Sequence, residues 1–413
     1  MAKVLVYTSP ARGHLYPITP ALDELRRRGH DVSVRTLASQ VATMRNRGFD
    51  ADPIAPLLEA IAHDDFRAHT PQGAIKRALA VFARRAELEV PDLQAAIAEV
   101  GPDLLLVDGQ TWGGLAAAEA WGGPWAAWLP YPMPLPSPDA PPFGPGLPPA
   151  HGPFGRLRDR ALRPLLIGSF ERAMLPKLNA VRAGLHLDPL SSAGELFTGP
   201  PVLLYLTAEP FEYPRRDWPP NIRMIGPCAW DPPAEAPAWL ADIDRPIVLV
   251  TTSSEFQDDG RLVTTALDAL AGESVHVVAT LPSADPAAFA GRPNAHVLPF
   301  VPHAPLLERA ACVVTHGGMG ATQKALAAGV PVCAVPFGRD QLEVARRVVV
   351  AGAGTRLNAK RLRPDRLRKQ VLAAMEMRAG ADRIARAFAA AGGAPLAVDA
   401  LEHALSGRLR QPA

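Results

Sequence analysis

The stretch from Cys312 to Val348, CVVTHGGMGATQKALAAGVPVCAVPFGRDQLEVARRV, admits few folds. It reads as a buried strand from Cys312 to Thr315, a turn on Gly317, Gly318 and Gly320, a helix, and a second strand from Val330 to Val335. A polar turn and another helix follow. Short apolar runs alternating with helical patterns mark βαβ units and therefore a parallel sheet. The glycines fall where a strand ends and a helix begins. There, backbone N–H groups approach an anion closely and the helix dipole favours negative charge. The same glycines also suit a tight turn needing positive φ, so taken alone they leave both readings open.

At 413 residues the chain is long for one core, and two domains are expected. A formal net charge of +2 gives no footprint for nucleic acid or an anionic membrane, so neither is expected as a partner. Cys228, Cys312 and Cys333 lack metal-ligand spacing and read as small core residues in a reducing compartment. The opening MAKVLVYTSP enters a strand without a long apolar leader, and no run of about 18 apolar residues occurs. A soluble, cytoplasmic chain is the expectation.

The opening repeats the βαβ theme. A strand (Val4 to Thr8), a turn (Ser9 to Gly13), a helix (Tyr16 to Arg28) closed by Gly29, and a strand (Asp31 to Thr36) begin a first doubly wound domain. Residues 53–100 read as helices and loops of unclear order. Strands are expected at Leu104 to Val107, ending on Asp108, at Trp125 to Trp128, and at Val202 to Thr207, the last of this domain. Proline recurs so often from Pro130 to Pro153 that neither helix nor central strand can form. That segment is either a surface loop or a wall of a pocket, with Trp125, Trp128, Tyr131, Phe143 and Phe154 as aromatic lining or as core. Helix resumes from Phe154 to Leu185, and the Pro-rich acidic segment Pro227 to Pro237 reads as a linker. Strands at IVLVT, Val275 to Thr280, and His296 to Pro302 then lead into the stretch described first.

His316, Gly318, Gly320, Thr322, Gly329-Val330-Pro331, Pro336 and Asp340-Gln341 occur in an order and spacing that chance explains poorly. This run resembles the donor-binding signature of family-one GT-B glycosyltransferases, in particular actinobacterial natural-product (antibiotic) members, and the resemblance extends to both ends of the chain. It implies an α/β fold of two Rossmann-like domains facing a cleft. The acceptor domain would be 1–226, the linker 227–240, the nucleotide-sugar domain 241–391, and 392–413 a helix crossing back to the first domain. The activity implied is inverting, metal-independent sugar transfer from a dTDP-sugar, or second a UDP-sugar, to an apolar aglycone. No cofactor is expected, and a homodimer is left open.

The residues carry this chemistry as follows. His14 follows Gly13 at a strand-to-helix turn, where the positive end of the helix dipole disfavours imidazolium, though a histidine beside a turn is also an ordinary structural residue. The resemblance makes it the general base. Asp108, otherwise a helix N-cap, would fix its tautomer. Phe300 and Val301 fall where relatives hold the base, and Phe300 is otherwise a core strand residue. Ser253 and Ser254 would meet the diphosphate or cap a helix. His316, Gly318, Met319, Gly320 and Thr322 would hold the phosphates, and Asp340 with Gln341 the sugar hydroxyls. Lys324 stands where many relatives carry a ribose-binding Glu. A lysine cannot accept those hydrogen bonds, which favours dTDP; otherwise it is an exposed helix lysine. Asp258-Asp259 is discounted as a metal pair. A nucleotide-sugar epimerase of the same fold lacks a base in the opening turn, and a non-catalytic binding protein would tolerate losing His14 or Asp340-Gln341.

Overall fold

The alternation of apolar runs and helices builds two parallel sheets in the computed structural model. It describes residues 1–407 apart from 69, 233–234, 254–256, 258, 282–291 and 293, with only the backbone of 71 and 72. The first sheet has seven strands: β1 (Lys3–Tyr7), β2 (Asp31–Thr36), β3 (Asp50–Pro53), β4 (Leu104–Asp108), β5 (Trp125–Leu129), β6 (Leu203–Tyr205) and β7 (Ile222–Met224), in the order β3-β2-β1-β4-β5-β6-β7. The second has six: β8 (Ile247–Thr251), β9 (His276–Thr280), β10 (Ala295–Leu298), β11 (Ala310–Thr315), β12 (Val332–Ala334) and β13 (Gly354–Arg356), in the order β10-β9-β8-β11-β12-β13. Central strands such as β4, β5 and β8 are buried at every position, as expected where helices cover both faces of a sheet.

Several elements differ from the sequence expectation. β7 adds an edge beyond the strand expected to be the last of the first domain, and β3 and β13 were not anticipated. All three are short edge strands of three or four residues, too brief to carry a periodic pattern. The region 53–100 does hold helices and loops, in the order of a short helix Pro56–Ala60, a 3-10 turn Asp65–Arg67 and a helix of 30 residues, Pro71–Val100, that runs through Pro91. The first helix is Arg12–Arg27, so His14 lies inside its first turn rather than ahead of it. β10 stops at Leu298, which leaves Phe300 and Val301 in the following loop.

The two domains are closely joined. Ala208 and Phe211, reached just after β6, pack into the core of the second domain, and Phe211 meets Phe388 edge-on at 5.7 Å. By length and composition, Arg378–Leu405 is apolar enough to span a membrane. Gly392, at φ +91°, breaks it into two helices. Ile384 and Phe388 enter the second core, whereas Ala397, Val398 and Leu401 pack with Leu15, Ile18 and Leu22 in the first. Arg28 fastens the last helix, bonding Asp399 at 2.6 Å and Glu402 at 2.9 Å.

Candidate active site

Each sheet reverses its strand order once, between β1 and β4 in the first and between β8 and β11 in the second. Connections diverge to opposite faces at such a point and leave a crevice at the carboxyl ends of the strands, where ligands bind. The candidate residues gather at these two places.

At the first crevice, β1 and β4 pair so that Tyr7 lies opposite Val107, which brings Asp108 beside the turn leaving β1. Asp108 is fully buried, and both its oxygens lie 2.9 Å from His14 Nδ1. It also accepts the N–H groups of Ser9 and Gln110, each at 3.0 Å. Burial opposes ionisation of this carboxyl, but the field and hydrogen bond of His14 and the bond from Ser9 outweigh it and hold its pKa below the usual range. An ionised Asp108 only accepts, so Nδ1 carries the imidazole proton and Nε2 is the acceptor nitrogen. The following helix takes Thr111 as its N-cap, so the capping role considered for Asp108 is not the one it has. Trp128 supports the histidine from below, its Nε1–H donating to the His14 carbonyl at 3.2 Å. Tyr131 leans on the imidazole with ring centroids 5.7 Å apart. Of the other aromatics, Trp125 and Trp128 are core, while Phe154 is 86% exposed.

At the second crevice, Gly317 has φ +89°, where glycine alone is unstrained. A side chain on Gly318 would come within 2.4 Å of His316 Nε2, whereas one on Gly320 would meet open space. Helix Met319–Ala327 starts on Gly318 with no side-chain cap, so among the described residues its first N–H groups have no side-chain acceptor. Met319 itself packs into the core. Thr322 is fully buried, and its Oγ1 has no hydrogen-bond partner among the described residues. Such an arrangement can act as an anion cradle.

Burial, reinforced by the Arg339 charge and only partly offset by a bond to Thr251, depresses the His316 pKa to about 4. Because the folded value lies below the unfolded one, the unfolded chain binds the extra proton between about pH 6.5 and 4. Stability should therefore fall through that window, by up to about 3 kcal/mol from this residue alone. His316→Gln should flatten the slope in urea titrations run at several pH values.

Ser253 N–H donates to the buried Asp259 at 2.7 Å, which makes that carboxylate a closure for the loop after β8. Ser254 and Asp258 lie outside the described residues. Phe300 is 58% exposed and so is not a core residue, whereas Val301 is 2% exposed and belongs to the core. Gln341 is buried and engaged within its own domain. Its Oε1 accepts the N–H groups of Phe337 and Gly338, and its Nε2 donates to Gln257 at 2.7 Å. Gln341 thus shapes the turn that presents Asp340. Lys324, only 18% exposed at its side chain, pairs with Asp231 of the interdomain connection and is no loose surface lysine.

The two crevices face each other. Burial raises the Asp340 pKa, while its own N–H, Arg339 and His14 pull it down, so the second-domain carboxylate feels the first-domain imidazole. Burial likewise pushes the Tyr131 phenol up, helped by both Asp108 and Asp340. Arg339, at φ +54°, precedes Asp340 and holds Asp65 of the first domain through two bonds of 3.1 Å. Sequence reasoning passed over Asp65 and Arg339, since an isolated acid and base far apart in sequence give no signal.

Two doubly wound domains with opposed crevices, a His–Asp pair in one and an anion cradle in the other, define a GT-B enzyme. Residues 264–402 match the family model described as "Erythromycin biosynthesis protein CIII-like, C-terminal domain". The 4'-demethylrebeccamycin synthase of Lentzea aerocolonigenes is 32% identical, over 97% of this chain and 99% of its own. The glycotransferase of kitacinnamycin superposes with a TM-score of 0.74 at 25% identity, covering 98% of each chain. The glycosyltransferase VinC, solved in complex with dTDP, gives 0.71 at 24% identity, covering 98% of this chain and all (100%) of that one. The chain belongs to the family-one actinobacterial natural-product glycosyltransferases.

Proposed function

We propose that this glycosyltransferase moves a sugar, with inversion, from a nucleotide diphosphate to a hydroxyl or N–H of a small apolar aglycone, without a metal. The observation that carries the reading is the His14–Asp108 pair, 2.9 Å apart, facing Asp340 across the cleft. Nε2 of His14 takes the acceptor proton as the nucleophile attacks the anomeric carbon from the face opposite the diphosphate. Asp108 stabilises the imidazolium that forms. The carbon–oxygen bond to the diphosphate breaks, and the charge left on it is met by the uncapped helix N-terminus at Met319 and by the buried Thr322 hydroxyl. Asp340 orients sugar hydroxyls from the turn that Gln341 organises. NMR of the product anomer against the donor anomer tests the reading, and retained configuration overturns it.

Transfer should survive excess EDTA, because the cradle meets the leaving charge. Loss of activity restored by magnesium or manganese would show otherwise.

The donor is read as a dTDP-sugar before a UDP-sugar. Lys324, held by Asp231, offers ribose hydroxyls no acceptor of its own, and the exposed Phe300 ring gives the thymine methyl an apolar contact worth about 0.8 kcal/mol if fully buried. Calorimetry should find dTDP bound at least as tightly as UDP, and Lys324→Gln should shift the ratio toward UDP. Glutamate at 324 is a poorer test, since it would face Asp231. UDP bound tenfold more tightly by the wild type would defeat this donor assignment alone.

A further inference from the structure

The proline-rich segment after β5 starts in the first crevice and ends on the other domain. Tyr131 leans on His14, and two residues later Met133 N–H donates to the Tyr205 hydroxyl at 3.0 Å. The segment then reaches across to the helix Gln341–Val350. There the N–H groups of Gly144 and Gly146 both donate to Glu343 Oε1, at 2.8 and 2.9 Å. Arg346 Nε donates to the Gly146 carbonyl at 2.8 Å. Gly146 sits at φ +60°, and a Cβ there would come within 2.3 Å of the Leu342 carbonyl, so the tip lies flush on the helix.

Glu343 is itself held. Its second oxygen accepts Arg347 Nη1 at 3.1 Å, and Arg347 Nη2 donates to Glu212 at 2.8 Å. Glu212 in turn accepts the hydroxyl of Tyr205, the residue that holds Met133. Both ends of the segment are therefore fastened to one buried hydrogen-bonded chain. Glu343 stands three residues after Asp340, on the first turn of the helix that Asp340 introduces.

We propose that Glu343 is a positioning residue for the acceptor: by docking the Gly144–Gly146 tip beside Asp340, it sets the wall of the acceptor site relative to the donor sugar. This rests on the reading of the first domain as the acceptor domain. A carboxylate that accepts two N–H groups of one tip fixes both its distance and its tilt, and small errors of reactant placement are costly in rate. Glu343 touches neither reactant in this account and acts through the segment.

The test uses the full chain, dTDP as the nucleotide probe, dTDP-glucose as donor and 2-naphthol as acceptor probe. In hydrogen exchange read by mass spectrometry, Glu343→Ala should speed exchange of the peptide carrying Gly144 and Gly146 by about tenfold or more, as expected when two buried bonds are lost. The variant should raise KM for 2-naphthol by about tenfold and lower kcat, with the dTDP Kd changed by less than about twofold. Glu343→Gln keeps an accepting oxygen and should recover most of the loss. Gly146→Ala disturbs the same contact from the other side and should reproduce it, and combining it with Glu343→Ala should cost little more than either alone. Unchanged exchange, an unchanged acceptor KM, or a dTDP affinity that falls in parallel would each overturn the proposal. His14→Ala run alongside separates the two levels. If it too leaves transfer intact, the reading of the site has failed; if it abolishes transfer while Glu343→Ala is silent, only the positioning role has.

Discussion

His14→Ala should lower kcat by about two to four orders of magnitude, the usual worth of a general base, while leaving the Kd for the nucleoside diphosphate almost unchanged. The split follows from the architecture: the imidazole stands at the β1/β4 switch point, and the anion cradle at the β8/β11 switch point of the other domain. Asp108→Asn should be nearly as damaging, because an amide neither fixes the Nδ1–H tautomer nor stabilises imidazolium. It would also aim an NH2 at donors that now point to the carboxylate, since Ser9 and Gln110 both give it N–H groups. Initial rates with calorimetry on both variants decide the matter. Near-wild-type turnover by His14→Ala removes the base assignment. Loss of nucleotide binding by either variant would show that the first crevice belongs to the donor.

Much of this site was legible because its chemistry is local. The strand–glycine–helix order from Cys312 places His316, Gly318 and Thr322 with no long-range information, and Gly13-His14 lies one turn from the strand that opens the chain. The Asp108 pairing needed only the inference that two early strands neighbour each other, which they do. What was hidden depends on the fold bringing distant residues together. Asp65 meets Arg339 and the Gly144–Gly146 tip meets Glu343, contacts that no spacing encodes. Lys324 could be placed on its helix, but not with Asp231 against it. Among elements, the order within 53–100 was the least legible: the helix Pro71–Val100 continues through Pro91, because buried Leu79, Ala86, Leu93 and Ala96 keep it packed on its core on both sides. The three missed strands are edge strands whose pairing comes from their neighbours and not from their own apolar pattern.

Arg347→Met should be strongly destabilising, at about 3–5 kcal/mol, because it removes the buried counter-charge of Glu212. The guanidinium is 2% exposed, lies 4.4 Å over the Tyr213 ring, and bonds Glu212 at 2.8 Å and Glu343 at 3.1 Å. Burial opposes ionisation of Glu212, but Arg347 and, behind it, Arg215 hold its pKa below the usual value. With methionine, Arg215 at 3.7 Å still answers that charge, and the Tyr205 hydroxyl and the Tyr213 N–H still donate to it, which places the loss toward the lower end of the range. A depressed folded pKa contributes stability above the unfolded value and loses it as pH falls through the folded one. The deficit of Arg347→Met should thus be greatest near neutrality and narrow below about pH 4, where the stranded Glu212 carboxyl is protonated in both states. Adding Glu212→Gln should restore part of the stability at pH 7, since a neutral pair costs less to bury than a lone charge. Urea unfolding followed by tryptophan fluorescence at pH 7 and pH 4 measures all of this. A loss under about 1 kcal/mol, or one independent of pH, would mean that water or rearranged side chains already satisfy Glu212 and that the ion chain between the domains holds little of the stability.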